Sequence, residues 1–474
     1  MKMKAISLSM GLLLAVGAAT FAPDAFHGAS AETAKTADVY ILAGQSNAVG
    51  HSTLSQQVKN QDDKNHTYDV VISQDDARND TGYSDVFYYG ATDVMIDGTL
   101  PNPALKNVKK GQGADGTKIG PELGMAKVLS ETATEDNPAV IFKFAAGGTA
   151  LGAYSAQHCS EIMYTNYFGN WASPSILSRW REEERRVAKN CQGLLYERLV
   201  QLIGNGIEKL KAEGYTPVVK AYVWMQGESD ANVTAIADEY ARNLTDFIGD
   251  LRGAVAEKTG NASDAKKPFV IGKISSTYNN GPRGVVTVRK AEDEVAAAVP
   301  NCYTVETEDF PLLDRKTGTV VGNDICHFNA GDMYQLGQRF AEAALNNIAA
   351  HNFFVTADEG GKVTDRNLHV SDGSVRIAFT AEEGLQLDEV LLDGKAIENF
   401  TVEDGSVIFS LPENAPEYGE IKLTFRKISS GEFPGWAIGT IIGAIGLVCA
   451  AAGISAYFAV KKKRDASKSG QSEE

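Results

Sequence analysis

The sequence predicts an α/β fold: a domain with a parallel sheet, then a small β-sandwich-like module, and finally one C-terminal transmembrane helix. Three observations support this fold class. Short apolar runs rich in β-formers alternate with stretches of helical periodicity along most of the chain. Strand-like alternation replaces this pattern towards the C-terminus, and an uncharged apolar segment follows it. With 474 residues, of which 43% are hydrophobic, the chain is long enough for two or three domains.

The α/β domain is predicted to extend over residues 36–352. Its buried parallel strands are predicted at five short runs rich in β-forming residues: 39–42, 140–144, 218–224, 269–274 and 302–305. Apolar residues recur at helical spacing in the stretch 194–210, before Gly214, a residue type common at helix C-termini. A second set, four residues apart over 336–348, predicts a final amphipathic helix that begins near Asp324 and His327.

The β-rich module is predicted over residues 355–428. Residues alternate in character from Val375 to Phe379, turn signals occur at Asp393-Gly394 and Asp404-Gly405, and there is no long helical pattern. These features indicate a small β-sandwich. The module could bind carbohydrate, but since it contains no specific ligand motif, we expect a spacer instead.

The N-terminus carries the pattern of a secretory signal peptide. Lys2 and Lys4 precede an apolar stretch centred on residues 11–17, and the small residues Ala29-Ser30-Ala31 follow further along the chain. This pattern predicts a signal peptide over residues 1–31, cleaved before Glu32, and therefore a mature protein that works outside the cytosol.

The C-terminus carries the pattern of a membrane anchor. Residues 436–460 contain no charge and are long enough to cross a hydrocarbon core of ~30 Å at ~1.5 Å per residue. The basic cluster Lys461 to Arg464 follows, which predicts a stop-transfer signal and a cytoplasmic tail over 461–474. The predicted localisation is the cell surface, with an extracellular ectodomain held by one membrane helix; the short Lys-rich start suggests a bacterial source.

Charge and cysteine content narrow the function classes further. A net charge of −16 argues against nucleic acid as a partner, because phosphate binding needs a basic surface.

Of five cysteines, Cys449 falls in the predicted membrane helix. The other four could form two disulfides. We prefer the pairs that are closest in sequence, Cys159–Cys191 and Cys302–Cys326, and free buried thiols are the alternative. Neither pair has a zinc-ligand spacing.

Gly44-Gln45-Ser46-Asn47 is the most informative segment of the chain. It directly follows the apolar run 39–43, so Ser46 is predicted at a strand-to-helix turn, where a serine is either a nucleophile or a plain helix N-cap. Far downstream, Asp324 and His327 are three residues apart. At this spacing the carboxylate can hold imidazole Nδ1 and leave Nε2 free to accept the serine proton.

Two further segments follow predicted strands. Gly147-Gly148 comes after the strand at 140–144, and glycine there lets a backbone N–H approach a developing oxyanion. Gln226-Gly227-Glu228 comes after the strand at 218–224 and offers an amide and a carboxylate. Parallel strands bring their carboxyl ends to one edge of the sheet, where α/β proteins place their sites. Taken alone, each segment is also compatible with an ordinary turn or surface loop.

Together, these four segments resemble the SGNH-type hydrolases, specifically the sialate O-acetylesterase-like and acetylxylan esterase branch. The likeness covers residues 38–352 and includes Ile119 to Gly124, which resembles the family's entry to a helix beneath the site. The resemblance implies a three-layer α/β/α domain, flavodoxin-like, with a parallel sheet. It also implies that Ser46 attacks an acetyl ester and that water releases the acetyl-enzyme. It implies no metal and no cofactor.

The resemblance also assigns roles to residues. His327 is expected to act as base and then acid, oriented by Asp324. The oxyanion is expected on the N–H groups of Ser46 and Gly147 with the Gln226 amide, and the remaining oxyanion or substrate contacts are expected from the following residues: Gln45, Gly148 and Glu228. The wider superfamily has an asparagine in its third block, whereas this chain has the longer Gln226. Glu228 therefore stays open as an alternative triad acid.

The function predicted on these grounds is a membrane-anchored extracellular serine esterase that removes O-acetyl groups from carbohydrates, most of all from sialic acids. An esterase for acetylxylan or another polysaccharide is the alternative within the enzyme class. The alternative of another class is a noncatalytic glycan-binding surface protein. The predicted partners are an O-acetylated glycan and, through the C-terminal helix, a membrane.

Overall fold

The computed structural model describes residues 35–58, 66–162, 164–278, 282–348, 351–370 and 373–428. The predicted signal peptide, membrane segment and cytoplasmic tail lie outside these residues. The described part of the chain forms an α/β domain and a β-rich module.

A seven-stranded sheet is the centre of the α/β domain, in the order β4-β3-β6-β1-β7-β8-β9. All neighbouring strands are parallel except the edge pair β3 and β4. A separate small ribbon pairs β2 with β5. The strands of this domain are β1 (Thr36–Gly44), β2 (Ser52–Thr53), β3 (Val86–Thr92), β4 (Lys106–Asn107), β5 (Lys118–Ile119), β6 (Ala139–Ala145), β7 (Thr216–Met225), β8 (Phe269–Gly272) and β9 (Cys302–Val305).

The helices of this domain are α1 (Ser46–Val49), α2 (Tyr68–Asp75), α3 (Arg78–Thr81), α4 (Glu122–Leu129), α5 (Ala156–Glu161), α6 (Thr165–Phe168), α7 (Pro174–Glu182), α8 (Leu194–Ala212), α9 (Glu228–Ala231), α10 (Thr234–Ala237), α11 (Tyr240–Thr259), α12 (Pro282–Ala298) and α13 (Ala330–Asn346). A short 3-10 helix over Ala262–Lys266 follows α11.

Two adjacent residues of β6 show why the domain has three layers. Successive side chains of a strand point to opposite faces of the sheet. Phe142 packs against α8, where a Cβ on Gly206 would lie 2.6 Å from its ring. Lys143 points the other way and reaches Glu122 at the start of α4, 2.7 Å away. Helices therefore cover both faces, and all seven residues of β6 are buried, as expected for a parallel strand.

The sheet register brings three of the segments singled out in the sequence together. Gly44, the last residue of β1, pairs with Ala145 at the end of β6 and with Met225 at the end of β7. The segments that follow these strands therefore emerge side by side. They form the carboxyl-end edge of the sheet, where the cavity described below lies.

Residues from His351 onwards form two sheets around a second apolar core. The strands of this module are β10 (His351–Ala357), β11 (Gly361–Val363), β12 (Asn367–Val370), β13 (Ser374–Ala381), β14 (Leu385–Leu392), β15 (Lys395–Ala396), β16 (Thr401–Glu403), β17 (Ser406–Ser410) and β18 (Tyr418–Lys427). One sheet has the order β12-β10-β18-β14-β15 and the other β11-β13-β17-β16. Buried residues of both sheets, such as Phe353 and Ile377, share one core.

The fold class needs one correction, because the structure does not support the predicted transmembrane helix. None of the helices in the described residues is long and apolar enough to cross a membrane. The two that have the length, α8 and α11, carry charged residues such as Lys209 and Asp250 and pack within the α/β domain. The predicted segment 436–460 itself lies outside the described residues. The corrected fold class is an α/β domain followed by a β-rich module.

Candidate active site

Ser46 is the first residue of α1, directly after the turn at the end of β1. The turn requires glycine at position 44, because its φ is +146° and a Cβ there would lie 2.0 Å from the Met225 carbonyl oxygen. Gln45 N–H then donates to the same carbonyl oxygen at 2.9 Å, which fixes the direction in which the chain leaves the sheet. Ser46 is 8% exposed and lines a cavity of about 410 Å³.

His327 lines the same cavity and is paired with Asp324. Its Nδ1 lies 2.7 Å from Asp324 Oδ2. Asp324 Oδ1 accepts from the N–H groups of Cys326 and His327 at 2.7 and 2.8 Å, a local turn that holds carboxylate and imidazole together. Partial burial opposes ionisation of Asp324, but the hydrogen bond and charge of His327, with the two N–H groups, lower its pKa to about 2.

The Asp324–His327 pair lies in a loop and not on the first turn of the final helix. That helix, α13, begins at Ala330, and the Asn329 side chain accepts from Asp332 N–H to cap it. The local side-chain-to-backbone bonds of Asp324 compete with helical hydrogen bonds, which delays the start of the helix. The three-residue spacing still brings the two side chains together, as expected.

Asn47 joins the nucleophile segment to two other parts of the site. Its Nδ2 donates to Glu228 Oε1 at 2.8 Å and to the Cys326 carbonyl oxygen at 3.3 Å. Its Oδ1 accepts from Phe328 N–H at 3.4 Å. One buried amide therefore sets the position of the loop that carries His327 relative to the turn that carries Ser46.

Glu228 lines the cavity, but its carboxylate accepts a hydrogen bond from Asn47 and makes none with His327. Burial raises its pKa, and its Oε2 has no hydrogen-bond partner among the described residues. Of the two carboxylates that the sequence left open as the acid, Asp324 is therefore the one in hydrogen-bond contact with the imidazole.

The glycine segment departs from the expected oxyanion geometry. Gly147 N–H, expected to hold the oxyanion, donates to Asp93 Oδ1 at 2.7 Å instead. The next residue, Gly148, has a φ of +63°, lines the cavity, and its N–H has no acceptor among the described residues. In this structure Gly148 therefore offers the free backbone donor of the segment.

The Gln226 amide also differs from its expected role, because it is fully buried and directed into the protein. Its Nε2 has three acceptors within hydrogen-bond distance: Asp230 Oδ2 at 2.6 Å, the Thr149 carbonyl oxygen at 3.1 Å and Gln45 Oε1 at 3.3 Å. The structure thus uses Gln226 to connect the strand ends behind the cavity. Gln45 lines the cavity, and its Oε1 also accepts from Gly227 and Ser229 N–H at 3.4 and 3.2 Å.

Several residues that line the cavity were not predicted from the sequence, among them His51, Asp93 and Tyr164. His51 lies five positions after Ser46, just beyond the short helix α1. Asp93 directly follows β3, a strand that the sequence analysis did not predict because Gly90 and the tyrosines interrupt its apolar pattern. The run Val86–Thr92, rich in β-formers and followed by a carboxylate, was the available signal.

The described cysteines are free thiols in this structure, so neither preferred disulfide is formed. Sγ of Cys159 nevertheless lies 2.7 Å from Sγ of Cys191. Cys302 is buried in β9, whereas Cys326 lies in the loop beside His327. Within the described ranges, no group of three or more His, Cys, Asp or Glu side chains is arranged to hold a metal ion.

A parallel α/β/α domain with a serine and a carboxylate-bound histidine in one cavity has the arrangement of a serine hydrolase. Residues 36–346 match the model of one family, described as carbohydrate esterase, sialic acid-specific acetylesterase. The chain belongs to this family, and it is an esterase. No curated protein sequence gives a significant match to the chain.

Several solved structures are similar to this one. NanS is 15% identical, with 66% of this chain and 97% of that chain covered and a TM-score of 0.43. A carbohydrate acetylesterase from Xanthomonas citri is 15% identical, with 80% and 73% covered and a TM-score of 0.40. A protein from Arabidopsis thaliana is 20% identical, with 65% and 98% covered and a TM-score of 0.40.

Proposed function

We propose that this esterase removes O-acetyl groups from carbohydrates through an acetyl-enzyme on Ser46. The observation that carries the proposal is that Ser46 and the Asp324-bound imidazole of His327 line one cavity at the carboxyl ends of the strands. Membership of the carbohydrate esterase family supports the reaction class.

In the first half-reaction, His327 Nε2 takes the proton of Ser46 Oγ as the oxygen attacks the acetyl carbonyl carbon. The carbon–oxygen bond to the sugar then breaks, and the sugar oxygen leaves as a hydroxyl with the proton from His327. In the second half-reaction, His327 removes a proton from water, the water oxygen attacks the acetyl-serine, and acetate leaves as Ser46 regains its proton. Asp324 keeps the imidazole oriented throughout.

Two backbone donors are proposed for the tetrahedral intermediates. Ser46 is the first residue of α1, so its N–H has no intrahelical acceptor. Gly148 N–H has no acceptor among the described residues and belongs to a turn that lines the cavity. Hydrogen bonds from such fixed donors strengthen as charge develops on the acetyl oxygen.

Sialic acids and neutral polysaccharides are both candidates for the sugar. The family description favours O-acetylated sialic acids. The acidic lining of the cavity favours a neutral sugar such as acetylated xylose, because Asp93 and Glu161 line it, and no Lys or Arg is among its described lining residues. A sugar carboxylate close to these acidic groups would be repelled.

The test is acetate release from O-acetylated sialosides and from acetylxylan by the wild type, Ser46→Ala and Ser229→Ala. Ser229 is a matched control, because it is a second serine that lines the cavity. We expect Ser46→Ala to lose roughly 10³-fold or more of kcat and Ser229→Ala to stay within about threefold of wild type. Unchanged turnover in Ser46→Ala would refute the proposed nucleophile. A folded wild type that releases no acetate from either sugar would refute both candidate sugars and direct the search to another ester.

A further inference from the structure

Asp93 has a strained backbone conformation at the active-site cavity. Its φ is +51°, in the left-handed region that non-glycine residues seldom adopt. Its N–H donates to the Ala145 carbonyl oxygen at 2.9 Å, so the residue is fixed to the end of β6. Strain of this kind is concentrated at functional sites, where the surrounding structure maintains it.

The Asp93 carboxylate is held beside the nucleophile with one oxygen available. Oδ1 accepts from Gly147 N–H at 2.7 Å. A Cβ placed on Gly147 would lie 3.6 Å from this oxygen and 3.7 Å from Ser46 Cβ, so carboxylate and nucleophile flank the same point. Oδ2 has no partner among the described residues, although the side chain lines the cavity. An ionised carboxylate only accepts hydrogen bonds, which suits a hydroxyl-bearing ligand.

Tyr164 adds an aromatic surface to the same cavity. It is 47% exposed, and its ring covers Gly148, where a Cβ would come within 2.5 Å of it. Phe168 supports it from the side, with the two rings 3° from parallel and centroids 6.3 Å apart. An exposed but supported ring beside a nucleophile resembles a platform for the apolar C–H face of a sugar ring.

We propose that Asp93 and Tyr164 form the subsite that positions the sugar of the substrate, next to the acetyl group held at Ser46. Asp93 Oδ2 accepts a hydrogen bond from a hydroxyl close to the acetylated oxygen, and the sugar ring packs on Tyr164. Two adjacent glycines connect this subsite to the nucleophile. Asp93 accepts a hydrogen bond from Gly147 N–H, and the Tyr164 ring covers Gly148. This inference rests on the proposed esterase function and adds the residues that recognise the sugar.

The two variants for the test are Asp93→Asn and Tyr164→Ala. Asparagine tolerates a positive φ, and its Oδ1 can still accept from Gly147, so Asp93→Asn preserves the fold and replaces the acceptor that faces the sugar with a donor. Asp97→Asn and Tyr167→Ala are matched controls. Asp97 is an exposed carboxylate in the same loop, Tyr167 is 46% exposed next to Tyr164, and neither lines the cavity.

Each variant is assayed with O-acetylated oligosaccharides of both candidate classes, from xylan and with sialic acid, and with p-nitrophenyl acetate, which has an acetyl group but no sugar. The loss is measured on the oligosaccharide that the wild type hydrolyses. We expect Asp93→Asn and Tyr164→Ala each to lower kcat/KM for the oligosaccharides about tenfold or more. Turnover of p-nitrophenyl acetate should stay within about threefold of wild type in these variants, and both substrates should be unaffected in the controls. A specific loss on the sugar ester separates substrate positioning from a general structural defect.

Three outcomes would overturn the inference. Equal losses of activity on both esters would show that Asp93 and Tyr164 maintain the structure of the site and do not bind the sugar. Faster p-nitrophenyl acetate turnover in Asp93→Asn would instead indicate that the Asp93 carboxylate competes with the oxyanion for backbone N–H donors. A wild type that hydrolyses p-nitrophenyl acetate but no acetylated oligosaccharide would refute the sugar subsite and leave the esterase chemistry intact. The proposed function itself fails separately, if Ser46→Ala retains activity on either ester.

Discussion

The imidazole rings of His51 and His327 are stacked, with centroids 4.8 Å apart and planes at 26°. His51 is thus a second histidine in direct contact with the proposed catalytic base. Burial, followed by repulsion from His327, lowers the pKa of His51 to about 4. His51 is therefore neutral at pH 7, and it does not repel the positive charge of an imidazolium formed on His327.

The depressed pKa of His51 predicts a loss of stability in acid. An unfolded histidine has a pKa of about 6.5. The unfolded state therefore binds more protons between pH 6.5 and pH 4, so the free energy of unfolding falls as the pH drops through this window. We expect His51→Gln to show a smaller decrease than wild type in urea denaturation across the same range. Parallel curves for the two proteins would contradict this assignment.

The Asp324–His327 contact predicts which carboxylate matters more for turnover. Asp324→Ala removes the acceptor 2.7 Å from His327 Nδ1, and we expect kcat to fall roughly 10³-fold or more. Glu228→Ala removes the acceptor of the Asn47 amide and should cost less. Steady-state kinetics on p-nitrophenyl acetate measures both. The opposite ranking would make Glu228 the acid.

A fully buried ion pair lies beneath the nucleophile turn. Lys143 Nζ is 2.7 Å from Glu122 Oε2 and donates to the Val49 carbonyl oxygen at 2.8 Å, at the end of α1. Removal of one partner leaves an uncompensated buried charge. We expect Lys143→Met to reduce the free energy of unfolding by about 3–5 kcal/mol.

The control for this prediction is the double variant Lys143→Met with Glu122→Gln, which removes both charges. We expect it to be more stable than Lys143→Met alone in the same denaturant titration. If the two substitutions instead have additive costs, the charges are not coupled as the geometry indicates.

The short distance between Cys159 and Cys191 predicts that this pair is oxidised readily. Their sulfurs are 2.7 Å apart. For a disulfide that closes a loop of this length, the chain-entropy model predicts an increase of about 3–4 kcal/mol in the free energy of unfolding. We expect peptide mapping of protein purified without reductant to show this linkage. Cys302 and Cys326 should remain thiols, and a Cys302–Cys326 linkage would contradict the structure.

Much of the fold could be predicted because its strands are covered on both faces. Runs such as Val140–Phe144 are apolar at every position except Lys143 for this reason. The segments that follow these strands contain the serine, glycine, amide and carboxylate residues that the sequence analysis selected. The Asp324–His327 contact was also predictable, since three residues of separation bring the side chains together whether the segment is a helix or a turn.

The other cavity residues could not be predicted, because their proximity depends on tertiary structure. Asp93 approaches Gly147 only because β3 lies beside β6, and the order of strands cannot be read from local pattern. Tyr164 reaches the cavity from the segment that precedes α6. Gln226 has the residue type of an oxyanion donor, but its amide is buried by contacts with Asp230 and Thr149, which no sequence spacing indicates.

The acetyl-enzyme on Ser46 can be trapped and located directly. Wild type and Ser46→Ala are mixed with p-nitrophenyl acetate, quenched in acid within the first turnover, digested and analysed by mass spectrometry. We expect one acetyl group on the peptide that contains Ser46, absent from the variant and lost from the wild type as turnover completes. An acetyl group on another residue, or full turnover by the Ser46→Ala variant, would contradict the proposed mechanism.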